Sequence, residues 1–257
     1  MIFRADLHLH SCLSPCGGLD MSPSAIVQRA RECGLNALAL TDHNTARNSP
    51  AWQEVCRAYG LAHLFGIEVN TTEEAHILCY FDQLEAVMEL DRLIYDSLPN
   101  VRNDPVRFGD QVIVNAEEEI EGEVEKYLHG AAAYSVGDLT VLVHELGGLV
   151  VPSHVDRDAF SLTSQLGFIP EDDFDALEVS RHYDLESDPL SLRGRYAMLT
   201  NSDAHTLDSI GTRFNTFELE AFTVEALYAL LHREQQPEAT DRSDQCERQK
   251  RETHRHP

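Results

Sequence analysis

The chain has little positive charge and no long apolar run. Lys and Arg total 20 against 44 Asp and Glu, a formal net charge of −24 over 257 residues. Such a surface repels a polyphosphate backbone on average, so duplex nucleic acid is disfavoured as a partner. A small phosphorylated substrate stays open where metal ions invert the local field. No apolar stretch reaches the roughly 20 residues that a bilayer requires. The first residues lack the basic segment and apolar stretch of a secretion signal. Cys12, Cys16, Cys33, Cys56, Cys79 and Cys246 follow no framework spacing. These absences point to a cytoplasmic protein with free thiols and no membrane partner. No internal repeat is visible, and no Ser or Cys with an adjacent base stands out as a covalent nucleophile.

What is present is a rhythm. Hydrophobic residues make up 42% of the chain, enough for a packed core. Short runs rich in Ile, Val and Leu at 2–8, 37–41, 64–69, 76–81, 149–153, 176–180 and 197–202 read as strands buried on both faces. Helical patterns at 22–33, 50–59, 83–97 and 136–146 lie between them. The first opens with Ser22 as cap and Pro23 at the first helical position, and it stops at Gly34. Strand–helix alternation over this length predicts an α/β fold with a parallel sheet. Residues 98–134 break the rhythm and read as an insertion before the fifth strand, a loop followed by a helix at "AEEEIEGEVEKYLHG". Residues 1–234 form one domain on this reading. Residues 235–257 are polar throughout and read as a disordered tail, with His254 and His256 solvated.

The polar residues fall at the strand ends. His8 and His10 follow the first strand, in "RADLHLHSC" with Asp6 two residues earlier; Asp42 and His43 follow the second. Glu68 ends the third and His76 opens the fourth. His154 follows the fifth, Arg181 and His182 the sixth, Asp203 and His205 the seventh. In a closed parallel barrel these ends share one face, where barrel enzymes keep their active sites. One histidine beside an apolar strand is ordinarily a satisfied packing residue. Six of them, with three carboxylates beside buried strands, carry burial costs that metal ions resolve together. His63, His129, His144 and His232 fall in helix patterns or loops and read as surface or packing residues.

The motifs "DLHLHS", "TDHN", "GIEV", "SHVDR" and "NSDAH", in that order over about residues 3 to 220, resemble the polymerase and histidinol phosphatase (PHP) family. The resemblance implies a distorted seven-stranded (β/α)7 TIM-like barrel holding two or three zinc, iron or manganese ions and hydrolysing phosphate esters. It implies that His8, His10, Glu68 and Asp203 hold one ion, and that Glu68 bridges to a second held with His76 and His154. His43 and His205 would serve a third. Cys16, in "SPCGGLD", stands where many members carry an Asp or His as the remaining ligand of that third site. A thiolate there favours zinc or iron, a turn cysteine without a ligand role is the alternative, and Asp20 is a weaker substitute. Asp42 is expected to orient a ligand histidine. Arg157 and Arg181 are expected to grip a substrate phosphate, with His182 beside them, and His205 or a metal-bound water to protonate the leaving group. The expected reaction is attack on phosphorus by a metal-bound hydroxide. Two rival readings are a binuclear hydrolase of C–N or C–O bonds and a non-catalytic metal-binding regulatory domain.

Overall fold

A computed structural model of the chain describes residues 1–235; the tail beyond Gln235 lies outside the described residues. In chain order the elements are β1 (Ile2–Leu9), α1 (Pro23–Glu32), β2 (Ala37–Leu40), α2 (Ser49–Tyr59), β3 (Ala62–Asn70), β4 (His76–Phe81), α3 (Leu84–Ser97), α4 (Pro105–Phe108), β5 (Val112–Val114), β6 (Ile120–Glu123), α5 (Val136–Glu145), β7 (Leu149–Pro152), α6 (Leu162–Leu166), β8 (Leu177–Glu178), β9 (Met198–Leu199), β10 (Asn215–Glu218) and α7 (Val224–Gln235). The first helix starts as its sequence dictates. Ser22 accepts a hydrogen bond from Ala25 N, Pro23 takes the first helical position, and Gly34 follows the helix at φ +74°. None of the described helices is long and apolar enough to cross a membrane.

The α/β class holds, but the sheet differs from an all-parallel seven-stranded barrel. Six strands form one curled sheet in the order β10-β1-β2-β3-β4-β7. β1, β2 and β3 run parallel, whereas β4 is antiparallel to both β3 and β7. The cause is connection length. Residues 71–75 are too few for a crossover, so β3 and β4 make a hairpin with Asn70 opposite His76. β10, not foreseen from sequence, pairs antiparallel on the outer side of β1. β8 and β9 form a separate parallel pair. Val155 N donates to Glu178 O at 2.8 Å on one side of that pair, and His10 N donates to Ala204 O at 3.0 Å on the other.

The insertion also differs from expectation. Residues 115–123 do not form a helix. Asn115 Oδ1 accepts from Glu117 N and Glu119 N, Glu118 sits at φ +67°, and the chain folds into the β5–β6 hairpin. A side-chain turn of this kind competes with helix initiation. Gln111 is buried and locks the hairpin to residues 124–128, donating to Val124 O and Lys126 O and accepting from Leu128 N.

Strand residues alternate between two apolar groups. Leu38, Leu40, Phe65, Ile67, Ile77, Cys79 and Val150 pack with the helices. Ala37, Ala39, Leu64, Leu78, Tyr80, Leu149, Val151, Ala176 and Leu199 form the second group, which α7 joins through Leu227 and Leu231. The second group defines the inner face, and the polar centre grows out of it.

Candidate metal centre

Along that inner face apolar residues give way to donors with the period of two that strands impose. β3 runs Leu64, Gly66, Glu68; β4, read backwards, runs Tyr80, Leu78, His76; β8 follows Ala176 with Glu178. β4 brings a donor from its start because it runs antiparallel. β1 reaches the same end by an irregularity. Phe3, Ala5 and Leu7 belong to the inner group, Leu9 to the helix side, and the β1–β2 register shifts between Asp6 and Leu9. His8 and His10 therefore join the donors. Asp6 does not: it is buried and accepts from Ser202 N and Gly211 N at 3.1 Å each. Burial pushes its carboxyl up to about 6 against those bonds. Asp6 thus ties the segment carrying Asp203 and His205 to the first strand.

Four side chains converge at the centre. His8 Nε2 and His10 Nε2 are 3.1 Å apart. His8 Nε2 lies 3.3 Å from Glu68 Oε1 and 3.3 Å from Asp203 Oδ1. His10 Nε2 lies 3.4 Å from Glu68 Oε2 and 3.3 Å from Asp203 Oδ1. Donors bound at roughly 2.0–2.2 Å in a tetrahedron stand about 3.3–3.6 Å apart. The five separations are close to the edges of such a polyhedron. The tautomers agree as well. His8 Nδ1 faces both oxygens of Glu178 at 3.0 Å, and His10 Nδ1 meets Ser14 Oγ at 3.0 Å while that hydroxyl donates to Asp42. Each ring's proton is drawn to Nδ1, leaving an Nε2 lone pair for the centre, the usual carboxylate–histidine arrangement behind a metal.

A second set surrounds the same glutamate. Glu68 Oε1 is buried without a hydrogen bond. His76 Nδ1 lies 3.1 Å and His154 Nε2 3.4 Å from it, and His43 Nδ1 lies 3.0 Å from Glu68 Oε2. An orphaned buried carboxylate oxygen ringed by imidazole nitrogens is a misfit for a dry core and a fit for an ion. His154 and Asp203 both sit at positive φ, +31° and +51°. Strain at two non-glycine donors is what a functional site stores. Burial alone would raise the Glu68 carboxyl, yet His76, His8 and His43 hold it well below its ordinary range. Burial likewise opposes the Asp203 charge, and His8 and His10 overcome it. His10 is pushed well down by burial and by His205 and His43, which favours the neutral ring that ligates. His8 goes the other way: burial lowers it, but Glu178, Asp203 and Glu68 together raise it well above its ordinary value.

These residues open on a cavity of about 500 Å³ whose walls include His43, His129, Arg157, Phe160, Asp203 and His205. Arg157 Nη2 reaches Asp203 Oδ2 at 2.6 Å while its side chain stays half-exposed. His205 Nδ1 donates to Asp203 O at 3.0 Å, and its ring stacks on His10 with centroids 4.1 Å apart. Asp42 is buried outside the cluster, its oxygens accepting from Ser11 N, Ser11 Oγ and Ser14 Oγ, each at 2.7 Å. It reaches His10 through Ser14 and does not touch the centre directly. Arg181 and His182 are not brought to the cavity. β8 ends at Glu178, and Asp156 holds both Ser180 N and Ser180 Oγ at 2.6 Å, so the chain turns outward there. Arg181 and His182 are exposed and contact each other. Cys16 does reach the mouth, grouped with His43 and His129.

Three contributors escaped the sequence reading. Glu178 is 2% exposed, and besides His8 it accepts from His154 N at 2.9 Å and Asn201 Nδ2 at 2.8 Å. Its signal was a carboxylate inside "DALEVS", where an unpaired charge is costly. Ser14 bridges His10 and Asp42 and had no distinguishing pattern. His129 lines the cavity, although it read as a packing residue, because the segment carrying it is not the surface helix expected there.

The centre is a cluster of imidazole and carboxylate donors of the kind that holds metal ions. The PHP domain profile matches residues 6–157, more than half of the chain, and the chain belongs to the PHP domain family. It is 33% identical over 93 residues to the PolC-type DNA polymerase III of Listeria monocytogenes, a match covering 36% of this chain and 6% of that one. The chain thus spans a small part of the curated relatives it matches. The lesion-specific endonuclease PfuEndoQ from Pyrococcus furiosus has a similar structure, with a TM-score of 0.65, 20% identity, and coverage of 90% of this chain and 56% of that one. Endonuclease Q in complex with a 27-mer duplex carrying an abasic lesion superposes at 0.64, with 21% identity and coverage of 89% and 56%. A candidate metal-dependent phosphoesterase from Bifidobacterium adolescentis matches at 0.57 and 19% identity, covering 93% and 98%. The expectation that duplex nucleic acid is disfavoured is overturned by the Endonuclease Q complex. Net charge averages over a whole surface, and a binding face is a local property.

Proposed function

We propose that the chain hydrolyses a phosphate ester, with a small phosphorylated molecule as substrate and two or three zinc, iron or manganese ions as cofactors. His8, His10, Glu68 and Asp203 would hold one ion, and Glu68, His76 and His154 the second. When bound, the ions supply a water made acidic enough to attack and a positive field for the phosphoryl oxygens. The observation that carries this reading is the convergence of His8, His10, Glu68 and Asp203 at 3.1–3.4 Å, with Glu68 Oε1 buried and without a hydrogen bond. We further infer that β8 and β9 complete a distorted barrel of the family's seven-stranded type.

The chain's own residues then have distinct tasks. Glu178 and the Ser14–Asp42 pair fix the ring orientation of His8 and His10. Arg157, held by Asp203 through one nitrogen, keeps further N–H donors for phosphate oxygens in a forked contact. His205, at the cavity wall, would protonate the leaving oxygen. Phe160 stacks on His76 with centroids 4.8 Å apart and fixes that ring from the solvent side. The second reading is a phosphodiester within nucleic acid, favoured by the likeness to Endonuclease Q. The test is a screen of metal-loaded chain against mononucleotides, sugar phosphates, dinucleotides, p-nitrophenyl esters and a duplex with an abasic lesion. Release of phosphate from monoesters supports the first reading and cleavage of the duplex the second. Turnover of amides or lactones with no phosphorus substrate cleaved would reject both.

A further inference from the structure

Part of the cavity wall has no task in holding ions or gripping phosphate. Tyr127 and His129 line it from the insertion, and Asp158 and Phe160 line it from the loop after β7. Aromatic rings run between these two walls in an unbroken arc. Phe108 and Tyr127 have centroids 4.3 Å apart, Tyr127 and His129 5.7 Å, and His129 and His43 4.6 Å. The arc continues from His43 to His76 at 5.0 Å and from His76 to Phe160 at 4.8 Å. Its middle is the candidate metal centre. Past His129 it ends in Tyr127 backed by Phe108, and past His76 it ends in Phe160.

Both walls are held in place. On the insertion side Tyr127 N donates to Val101 O at 2.8 Å, Asn44 Nδ2 donates to Leu128 O and Gly130 O at 2.6 and 2.8 Å, and Asn70 Nδ2 donates to His129 O at 3.1 Å. On the other side His76 N donates to Phe160 O at 2.9 Å, and Ser161 Oγ donates to Arg157 O at 2.6 Å. Phe160 sits at φ +54°, a conformation that a bulky residue rarely adopts. The strained backbone keeps its ring at the rim, 44% exposed, with one face stacked on His76. A strained, water-exposed ring beside a reaction site is stabilised when a flat ligand covers it. His129 Nε2 is buried without a hydrogen-bond partner among the described residues, so a ligand with a polar edge would satisfy it. The cavity, about 500 Å³, is of the size that takes a whole drug-sized ligand rather than a phosphate alone.

We propose that this wall is a nucleobase subsite and that the ester is a free nucleoside monophosphate. The base lies against the open face of Phe160, with Tyr127 on the insertion side. A polar edge of the base meets His129 Nε2, and Asp158 offers carboxylate oxygens to the sugar hydroxyls. The phosphate then falls to Arg157 and the metal centre. Every base has a π face, so such a wall separates nucleotides from plain sugar phosphates without choosing sharply among bases. Residues 98–134 are then part of substrate recognition. The inference rests on the phosphate-ester reading, and its test separates the two.

The test uses the full chain loaded with zinc or manganese, as wild type, Phe160→Leu, Phe160→Trp and Tyr127→Leu. Circular dichroism checks the fold of each. Phe160 stands at the rim, so Phe160→Leu keeps the core intact if Tyr127→Leu does not fold. Two readouts are taken. The first is kcat/KM for AMP and UMP relative to ribose 5-phosphate, the same ester without its base. Any disturbance of His76 lowers all three alike and cancels in that ratio. The second is adenosine binding by calorimetry, which needs neither phosphate nor turnover. Wild type is expected to prefer the nucleotides by at least about tenfold. Phe160→Leu and Tyr127→Leu should each move that preference toward one and weaken adenosine binding by roughly 5–150-fold, the range that loss of one base–aromatic stack gives. Phe160→Trp should keep both. Equal kcat/KM for all three esters and no adenosine binding at millimolar concentration overturn the subsite and leave the hydrolase reading standing. Adenosine binding that weakens in the leucine variants, with no ester hydrolysed, keeps the base subsite and overturns the hydrolase reading. A nucleotide preference unchanged in both leucine variants overturns the assignment to Phe160 and Tyr127.

Discussion

The two ends of the sheet each collect histidines around a carboxylate, with opposite outcomes. At the end built from Glu68, His76 and Glu178, side chains of 13% exposure or less point their donor atoms at one another. The two rings that face the centre through Nε2 from β1 and the residue after it are held from behind, His8 by Glu178 and His10 by Ser14. At the other end, Asp175 precedes β8 and is buried, with His144 Nε2 3.0 Å from one oxygen and His232 Nε2 3.0 Å from the other. Val150 N donates to it as well, at 2.7 Å. There the carboxylate is shared out among donors, and the two imidazoles are 28% and 27% exposed. One end has lone pairs facing lone pairs, which a shared cation reconciles. The other has hydrogen-bond donors facing acceptors, which needs no cation. Histidine count does not distinguish them; the direction of the protons does.

The comparison breaks most readily at Glu68. Its two oxygens face both donor sets, so Glu68→Gln should empty both sites and lower turnover by at least the roughly 10²–10³-fold that follows loss of one transition-state stabiliser. Elemental analysis and steady-state kinetics on the same preparation check this, and retention of two ions with normal turnover would remove Glu68 as a bridge. Chelation is the next largest effect. An ion at 100 times its dissociation constant stabilises the fold by about 2.7 kcal/mol, so metal removal should abolish activity and lower the melting temperature, while readdition restores both. Equal melting curves with and without chelator would contradict it.

Glu178→Gln is smaller in effect and sharper in meaning. It keeps the shape but cannot draw the His8 proton as strongly, so metal affinity should fall roughly 10–100-fold. Asp42→Asn should act alike through Ser14 and His10. Competitive titration with a chromophoric chelator measures both, and unchanged affinity in both variants would show that the rings need no support from behind. At the far end the effect is smallest. The hydrogen bond from His144 to Asp175 raises its value above the ordinary 6.5. A raised folded value stabilises the protein fully below 6.5 and loses that contribution as pH climbs through the folded value. His144→Gln should therefore cost less than about 1 kcal/mol, given the exposure of the pair. The difference in melting temperature from wild type should be largest below pH 6.5 and shrink above it, with metal content unchanged. A pH-independent difference would contradict the linkage.

Much of the centre was legible because strand period and strand ends are written in local sequence. Glu68, His76, His154 and Asp203 stand at the edges of apolar runs, and a run of that kind has only two ends. The antiparallel course of β4 was legible in principle, since residues 71–75 are too few to cross over. The phase change in β1 was not: nothing in "RADLHLHSC" marks the irregularity that sends His8 and His10 inward and leaves Asp6 to support the segment behind them. Arg181 and His182 read as site residues because they follow a strand, but the turn set by Asp156 on Ser180 is a contact across 24 positions. His129 comes to line the cavity for a related reason. The acidic run before it has helical composition, and only the Asn115 turn and the buried Gln111 make a hairpin of it and carry His129 to the mouth.

The account turns on where a cation goes. Crystals grown with zinc, with diffraction recorded on both sides of the zinc absorption edge, would locate it directly. The account predicts an anomalous peak between His8 Nε2, His10 Nε2, Glu68 and Asp203, a second on the far side of Glu68 beside His76 and His154, and none at the Asp175 pair. No peak beside Glu68, or zinc at Asp175 in its place, would contradict it.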